Sequence, residues 1–72
     1  MMKLWTAKWC GPCNTLKAWM DRSGFVIPLL DIETDSPSDN VKSVPTLELE
    51  NGQYIFGLTA IKRYIEAAMR ED

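Results

Sequence analysis

The sequence predicts an α/β fold: a βαβ unit followed by ββα, closing a four-stranded mixed sheet with flanking helices. Three observations carry that expectation. The front of the chain reads as strand, helix, strand; a strict alternation runs into Asn51-Gly52 as in a hairpin; and the final segment carries a helical stripe of apolar residues. With 72 residues, about half the length at which a second domain is expected, the chain reads as one domain, residues 1–72, with one core.

Met2 to Ala7 is short, rich in bulky residues and free of breakers, as a strand is. From Pro12 to Arg22, apolar Leu16, Trp19 and Met20 recur at helical intervals, with Asn14, Lys17 and Asp21 on the other side. Ser23-Gly24 supplies the stop, so a helix is placed over about Gly11 to Ser23. Phe25 to Ile32 is the next strand, nearly all apolar as expected of a parallel strand covered on at least one face. Pro28 removes one ladder donor, which puts this strand at a sheet edge.

Glu33 to Ser43 is polar, but Ser36-Pro37-Ser38-Asp39 combines a capping side chain, a proline at the first helical position and an acid at the third. A short helix over about Pro37 to Lys42 is predicted, weakly anchored by Val41. Thr46-Leu47-Glu48-Leu49-Glu50 alternates, and Asn51-Gly52 signals a two-residue turn into a return strand, Gln53 to Phe56. That register sets Leu49 opposite Tyr54 and Leu47 opposite Phe56, pairing apolar residues on one face. Gly57 ends the strand, Thr59 is the expected cap, and Ile61, Tyr64, Ile65, Ala68 and Met69 form the inward stripe of a closing helix.

A hydrophobic content of 46% and a charged content of 25% match an ordinary globular protein and exclude a collagenous, disordered or low-complexity chain. Eight Lys and Arg against ten Asp and Glu give a net charge of -2, which argues against a grip on nucleic acid or anionic membrane. Phe25 to Leu30, the longest apolar stretch, contains Pro28 and falls far short of the roughly 20 residues that cross a bilayer. Lys3 and Lys8 interrupt the segment where a secretory signal needs an apolar run, so a cytoplasmic location is expected. The chain is expected to be a monomer.

The cysteines are the sharpest feature. There are two, Cys10 and Cys13, separated by Gly11 and Pro12, and no histidine. A secreted domain of this size usually carries several disulfides to offset a thin core, whereas one close pair in a cytosolic chain reads as reactive chemistry. Cys10 falls where the first strand hands over to the first helix. Unpaired N–H groups and the positive end of the helix dipole stabilise a thiolate there, and such sites lower a cysteine pKa from ~8.5 into the range of roughly 3.5 to 7.5. Cys13 lies one turn further in, nearer the core, which makes the two thiols unequal. Pro12 suits a first helical turn, Gly11 is expected to let the backbone turn closely around the sulfurs, and Trp9 flanks them with a flat apolar wall. The expected chemistry is attack by the Cys10 thiolate on a partner's disulfide, followed by attack of Cys13 on Cys10 to release the reduced partner. It calls for no cofactor.

Ala7-Lys8-Trp9-Cys10-Gly11-Pro12-Cys13 resembles the active-site segment of thioredoxins, and Val44-Pro45-Thr46 resembles the proline loop that this family sets opposite the cysteines. The resemblance spans essentially the whole chain, and the run Trp9 to Cys13 is highly specific. It implies a minimal thioredoxin fold, a cis Val44-Pro45 bond, and a substrate-binding set of Val44, Pro45, Thr46 and Gly57. The backbone of Val44 would then pair with an extended substrate segment. It also implies a thioredoxin reductase as electron donor and protein disulfides as substrates, with ribonucleotide reductase as one such client.

Departures from the family pattern carry information. The strand and helix that thioredoxins place before the motif are not expected here, which gives glutaredoxin dimensions with a thioredoxin-like site. The places of the family's buried acid and its lysine partner fall at Leu4 and Leu29, apolar residues that avoid a stranded charge. Glutaredoxins, the glutathione-dependent alternative, typically carry Pro-Tyr between the cysteines and acids after a double glycine. This chain has Gly11-Pro12 and Gly57-Leu58-Thr59 instead. A thioredoxin-like binding subunit with dispensable cysteines is the non-catalytic alternative.

Simpler roles compete at several positions. Structural zinc takes four ligands, and no third cysteine or any histidine is available to join the pair within the chain, so no metal site is expected. A purely structural disulfide across so short a loop would add little stability. Trp5, Trp19, Tyr54, Phe56 and Tyr64 read as core. Lys8 and Lys42 fall near the rim of the cysteine site but read first as solvated lysines, and Glu48, Glu50, Glu66, Glu71 and Asp72 as an exposed acidic face.

Overall fold

The computed structural model of the chain describes residues 2–36, 39 and 41–70. Its elements are β1 (Lys3–Thr6), α1 (Gly11–Ser23), β2 (Leu29–Asp31), β3 (Thr46–Glu48), β4 (Tyr54–Phe56) and α2 (Leu58–Met69), the predicted order of strands and main helices. The sheet runs β2-β1-β3-β4. β1 is parallel to β2 and antiparallel to β3, and β3 is antiparallel to β4. Among the described residues no helix is long and apolar enough to cross a membrane.

One face of the sheet carries the main core. Leu4 and Leu47 are register partners on β1 and β3, and both are fully buried against Leu16 and Met20 of α1 and Ile61 and Ile65 of α2. Each such aliphatic side chain contributes about 1.5–3 kcal/mol by leaving water. α1 occupies the predicted span, with Gly24 as its C-cap returning its N–H to Asp21 and Met20. The two helices also meet at the surface, where the Lys62 ammonium sits 5.2 Å from the centre of the Trp19 ring.

β2 is shorter than its apolar sequence predicts. Pro28 has no N–H to give, so pairing opens with its carbonyl, which accepts from the Leu4 N–H at 3.0 Å, and the strand proper begins at Leu29. Phe25 and Ile27 instead pack against the core from the connection that leads in. As predicted, β2 is an edge strand. The short helix expected over Pro37 to Lys42 falls on Pro37, Ser38 and Asn40, which lie outside the described residues; Val41 and Lys42 are not helical.

The hairpin register differs from expectation by one residue. Leu47 pairs with Ile55, Glu48 with Tyr54 and Thr46 with Phe56. Leu49 N–H donates to Gln53 O at 2.8 Å and Gly52 N–H to Leu49 O at 3.1 Å, so the loop is the three residues Glu50, Asn51 and Gly52. Gly52 takes φ 88°, the left-handed conformation that closes a three-residue hairpin loop. The Asn51 side chain also accepts from Gln53 N–H at 3.1 Å, which favours turning one residue earlier than a two-residue turn would.

A one-residue shift changes which side chains face the core. Tyr54 and Phe56 leave the main core for the opposite face of the sheet, where their rings stack at 6.4 Å and Phe56 is 49% exposed. Glu48 joins that face and is not simply solvated: its Oε1 accepts from Trp5 Nε1–H at 3.0 Å, and its Oε2 lies 3.9 Å from Lys3 Nζ. Trp5 is buried, as read, but on this second face. The α2 stripe is also narrower than predicted, with Ile61 and Ile65 buried while Tyr64 and Met69 are partly exposed. Thr59 is not the cap of α2; Gly57 holds that place at φ 91°, and Thr59 stands inside the first turn.

The register sets a ranking of truncations. Leu47→Ala removes a fully buried side chain and should cost about 2–5 kcal/mol. Phe56→Ala should cost clearly less than Leu47→Ala in urea unfolding, whereas comparable losses would restore the two-residue turn.

Candidate active site

The strand-to-helix junction builds the site locally. After β1, Cys10 N–H donates to Ala7 O at 3.1 Å, closing a tight turn that projects Trp9, 68% exposed, and starts α1 at once. Asn14 N–H donates to Cys10 O at 3.1 Å, and the Asn14 amide reaches Lys8 O at 3.4 Å. Cys10 is the N-cap, in extended conformation at φ -87° and ψ 110°. Its Sγ accepts the Cys13 N–H at 3.1 Å, the place an N-cap oxygen normally fills. No acidic residue in the first turn opposes the positive end of the helix.

Cys10 and Cys13 are joined as a disulfide, with Cα atoms 5.2 Å apart. The two are unequal as predicted: Cys13 is fully buried, while Cys10 retains 5% exposure. With Ala7 they form a small apolar cluster beside the main core, flanked by Ile32 and Val44. Ile32 arrives because its N–H donates to Thr6 O at 3.0 Å, continuing the β1–β2 pairing one residue past β2.

The loop before β3 supplies the other wall. Val44-Pro45 is cis, and the Val44 carbonyl lies 3.7 Å from Cys10 Sγ. Val44 makes no backbone hydrogen bond to another described residue. The loop is braced from two sides. Thr46 Oγ1 donates to Ser43 O at 2.6 Å, and Gly57 N–H donates to Pro45 O at 3.2 Å.

The structure therefore gathers Cys10, Cys13 and Val44 around one spot, with Trp9 beside it. Pro12 stands in the first turn of α1. Thr46 is fully buried, and its side chain shapes the loop from behind; Gly57 acts on the same loop through Pro45. Gly11 does not have the steric reason given to it: a Cβ there would meet nothing within 4 Å, and its φ is not positive. Leu4 and Leu29 are register partners across β1 and β2, so neither position places a charge near Cys13.

The surface clefts among the described residues include two of note. One, of about 240 Å³, adjoins the cysteines and is lined by Trp9, Ile32, Val41, Lys42, Ser43 and Val44. The other, about 130 Å³, opens between α1 and the segment leading into β2, and no cysteine lines it. The sequence gives no sign that Ile32, Val41 and Ser43 belong to the site, because only the fold brings the ends of the polar segment to the cysteines. Among the described residues no cluster of three or more His, Cys, Asp or Glu could hold a metal ion.

Comparison with solved structures places this architecture. The thioredoxin-like protein BC3987 superposes with a TM-score of 0.70 at 19% identity, over 92% of this chain and 97% of that one. The fold is thioredoxin-like. A mutant of BC3987 matches with a TM-score of 0.69 at 18% identity, over 92% and 96% of the two chains. Target protein XcR50 from X. campestris matches with a TM-score of 0.60 at 15% identity, over 93% and 97%. No family model and no curated protein matches the sequence. In this small thioredoxin-like fold, a Cys-X-X-Cys pair bonded at the helix mouth suggests redox function.

Thr46→Val tests the brace. It leaves the Ser43 carbonyl without its 2.6 Å donor in a part-buried place. Chemical unfolding should show a loss of about 1 kcal/mol, and an unchanged stability would mean that the bond contributes nothing to the loop.

Proposed function

We propose that the chain is a dithiol–disulfide oxidoreductase in which Cys10 attacks and Cys13 resolves. The observation that carries this reading is Cys10 Sγ at the helix N-cap, 3.1 Å from the Cys13 N–H, with its buried partner directly behind it. In the reduced protein that N–H faces a thiolate, and hydrogen bonds to charged groups are worth about 1.5–3 kcal/mol. The interaction favours the ionised sulfur, which is the nucleophile.

The cycle balances as two thiol–disulfide exchanges. The Cys10 thiolate forms a bond to one sulfur of the partner's disulfide, and the other sulfur leaves as a thiolate that takes a proton from water. Cys13, deprotonated, then attacks Cys10 Sγ, forming the intramolecular disulfide and expelling the partner's second sulfur as a thiolate. The partner gains two electrons and the protein loses two. The Val44 backbone adjoins the reacting sulfur and lacks a described main-chain partner, so an extended substrate segment can pair there as an added strand. Trp9 offers the segment an exposed apolar ring.

We assign recycling to a thioredoxin reductase and the substrates to protein disulfides, ribonucleotide reductase among the clients. The first turn of α2 carries no acid, so a glutathione amine would find no carboxylate there. A purely binding role would leave unexplained why a cysteine pair sits at the N-terminus of α1, with one sulfur as its N-cap.

Two variants test the mechanism. Cys10→Ser should abolish insulin reduction. Cys13→Ser should accumulate a protein–substrate mixed disulfide visible by mass spectrometry. Undiminished turnover in Cys10→Ser would remove Cys10 as the nucleophile, and obligatory dependence on glutathione would transfer the reductant to the glutaredoxin route.

A further inference from the structure

We propose that two copies of this chain pair antiparallel along β2, about a two-fold axis at Pro28, and join their four-stranded sheets edge to edge. Such pairing follows from the fold and not from the redox reading, and it replaces the monomer expected from the sequence.

The backbone supplies the register. Along a strand, the N–H and C=O of one residue point to the same edge, and those of the next residue to the other. The Pro28 carbonyl accepts from Leu4 N–H and the Ile32 N–H donates to Thr6 O, so residues 28, 30 and 32 face β1. Ile27, Leu29 and Asp31 therefore face away from the sheet. A proline guards an edge when its missing N–H lies on the outer side. Pro28 turns that side to β1, and the outer edge is unguarded. Ile27, which the following proline holds extended, and Leu29 make no outward backbone hydrogen bond to another described residue.

The edge closes on either side of these two residues. Phe25 N–H is given to Met20 O at 3.1 Å, Asp31 N–H to Asp35 Oδ2 at 3.1 Å, and Asp31 O accepts from Asp35 N–H at 2.7 Å. Two open residues flanking one proline fit a second copy in one register. With Pro28 opposite Pro28, Ile27 of each copy lies opposite Leu29 of the other, and each such pair exchanges two hydrogen bonds. A shift by two residues in either direction would set an open residue against Phe25 or Asp31, whose groups are already bonded.

Side chains agree. Leu29 is the register partner of Leu4, so it and Ile27 lie on the face of the sheet that carries α1. There they line the cleft of about 130 Å³ together with Met20 and Phe25. Leu29 is 50% exposed and nearby Val26 87%, the highest value for a large hydrophobic residue among those described. A second copy covers this apolar edge. Lys17 and Asp21 stand one turn apart on α1 at the same cleft, and neither forms an ion pair with another described residue. The two-fold axis sets the α1 helices antiparallel, with Lys17 of each copy toward Asp21 of the other, so the charges complement. Ile32, which flanks the cysteines, lies four residues beyond Pro28, about 13 Å along an extended chain, and both cysteine sites stay open.

The test is sedimentation of the full chain over rising concentration, under reducing conditions that exclude cross-linked species. The sedimenting mass should double. Amide exchange followed by NMR locates the contact. Where about nine chains in ten are paired, the Ile27 and Leu29 amides should exchange about tenfold more slowly, while Asp31, already bonded within the chain, keeps its rate. Lys17→Asp and Asp21→Lys should each weaken pairing about tenfold at low salt. An equimolar mixture of the two variants should restore it, since each reversed charge then meets its complement. A single mass at every concentration overturns the proposal. So does a doubled mass with unchanged exchange at Leu29, or a mixture that pairs no better than either variant alone.

Discussion

A single backbone N–H aimed at a sulfur organises this molecule. Cys10 serves as the N-cap of α1, and its Sγ receives the Cys13 amide at 3.1 Å. An ordinary cap uses a hydroxyl or carboxylate oxygen to satisfy one of the orphan amides of the first turn. A sulfur in that place does the same structural task and is also a group that can ionise and exchange bonds. In the proposed reaction, helix initiation and redox chemistry therefore fall on one atom, and the chain cannot move the helix mouth without moving that sulfur.

The remaining structure supports that junction from three directions. The core beneath β1, β3, α1 and α2 holds the axis of α1 against the sheet. The extension of β1–β2 pairing to Ile32 closes the space behind the cysteines. The loop at Val44-Pro45 is fixed by Thr46 on β3 and by Gly57 at the mouth of α2. Three separate elements thus end at the same small apolar cluster, and the buried Cys13 is the residue they enclose.

Legibility followed the range of the interactions. The span of α1, the edge position of β2 and the inequality of the cysteines follow from local features: a proline and glycine as punctuation, a helical stripe, and the offset of one helical turn. The hairpin shows the limit of that approach. Asn51-Gly52 marks the turn correctly, but whether the loop holds two residues or three depends on competing local hydrogen bonds, and here the Asn51 side chain and Gly52 favour three. Because alternate residues point to opposite faces, that one-residue difference moved Tyr54 and Phe56 away from the main core. The stripe of α2 was overestimated for a related reason. Apolar periodicity marks the side that faces inward, while the neighbours decide how far round the helix burial extends, and only Ile61 and Ile65 are sealed.

At the site the same division holds. The pattern Trp9 to Cys13 determined that one sulfur would stand at a helix mouth with a second one turn behind, because a strand–turn–helix junction needs only neighbouring residues to form. The family resemblance supplied the loop at Val44-Pro45 as a partner, but composition and spacing alone could not bring it near. Only the tertiary structure decided that Val41, Lys42, Ser43 and Ile32 share a cleft with Trp9, and that Thr46 is buried behind the loop. Those are contacts between segments far apart in the chain, set by sheet order and register. A linear sequence encodes them only through the packing of the whole core.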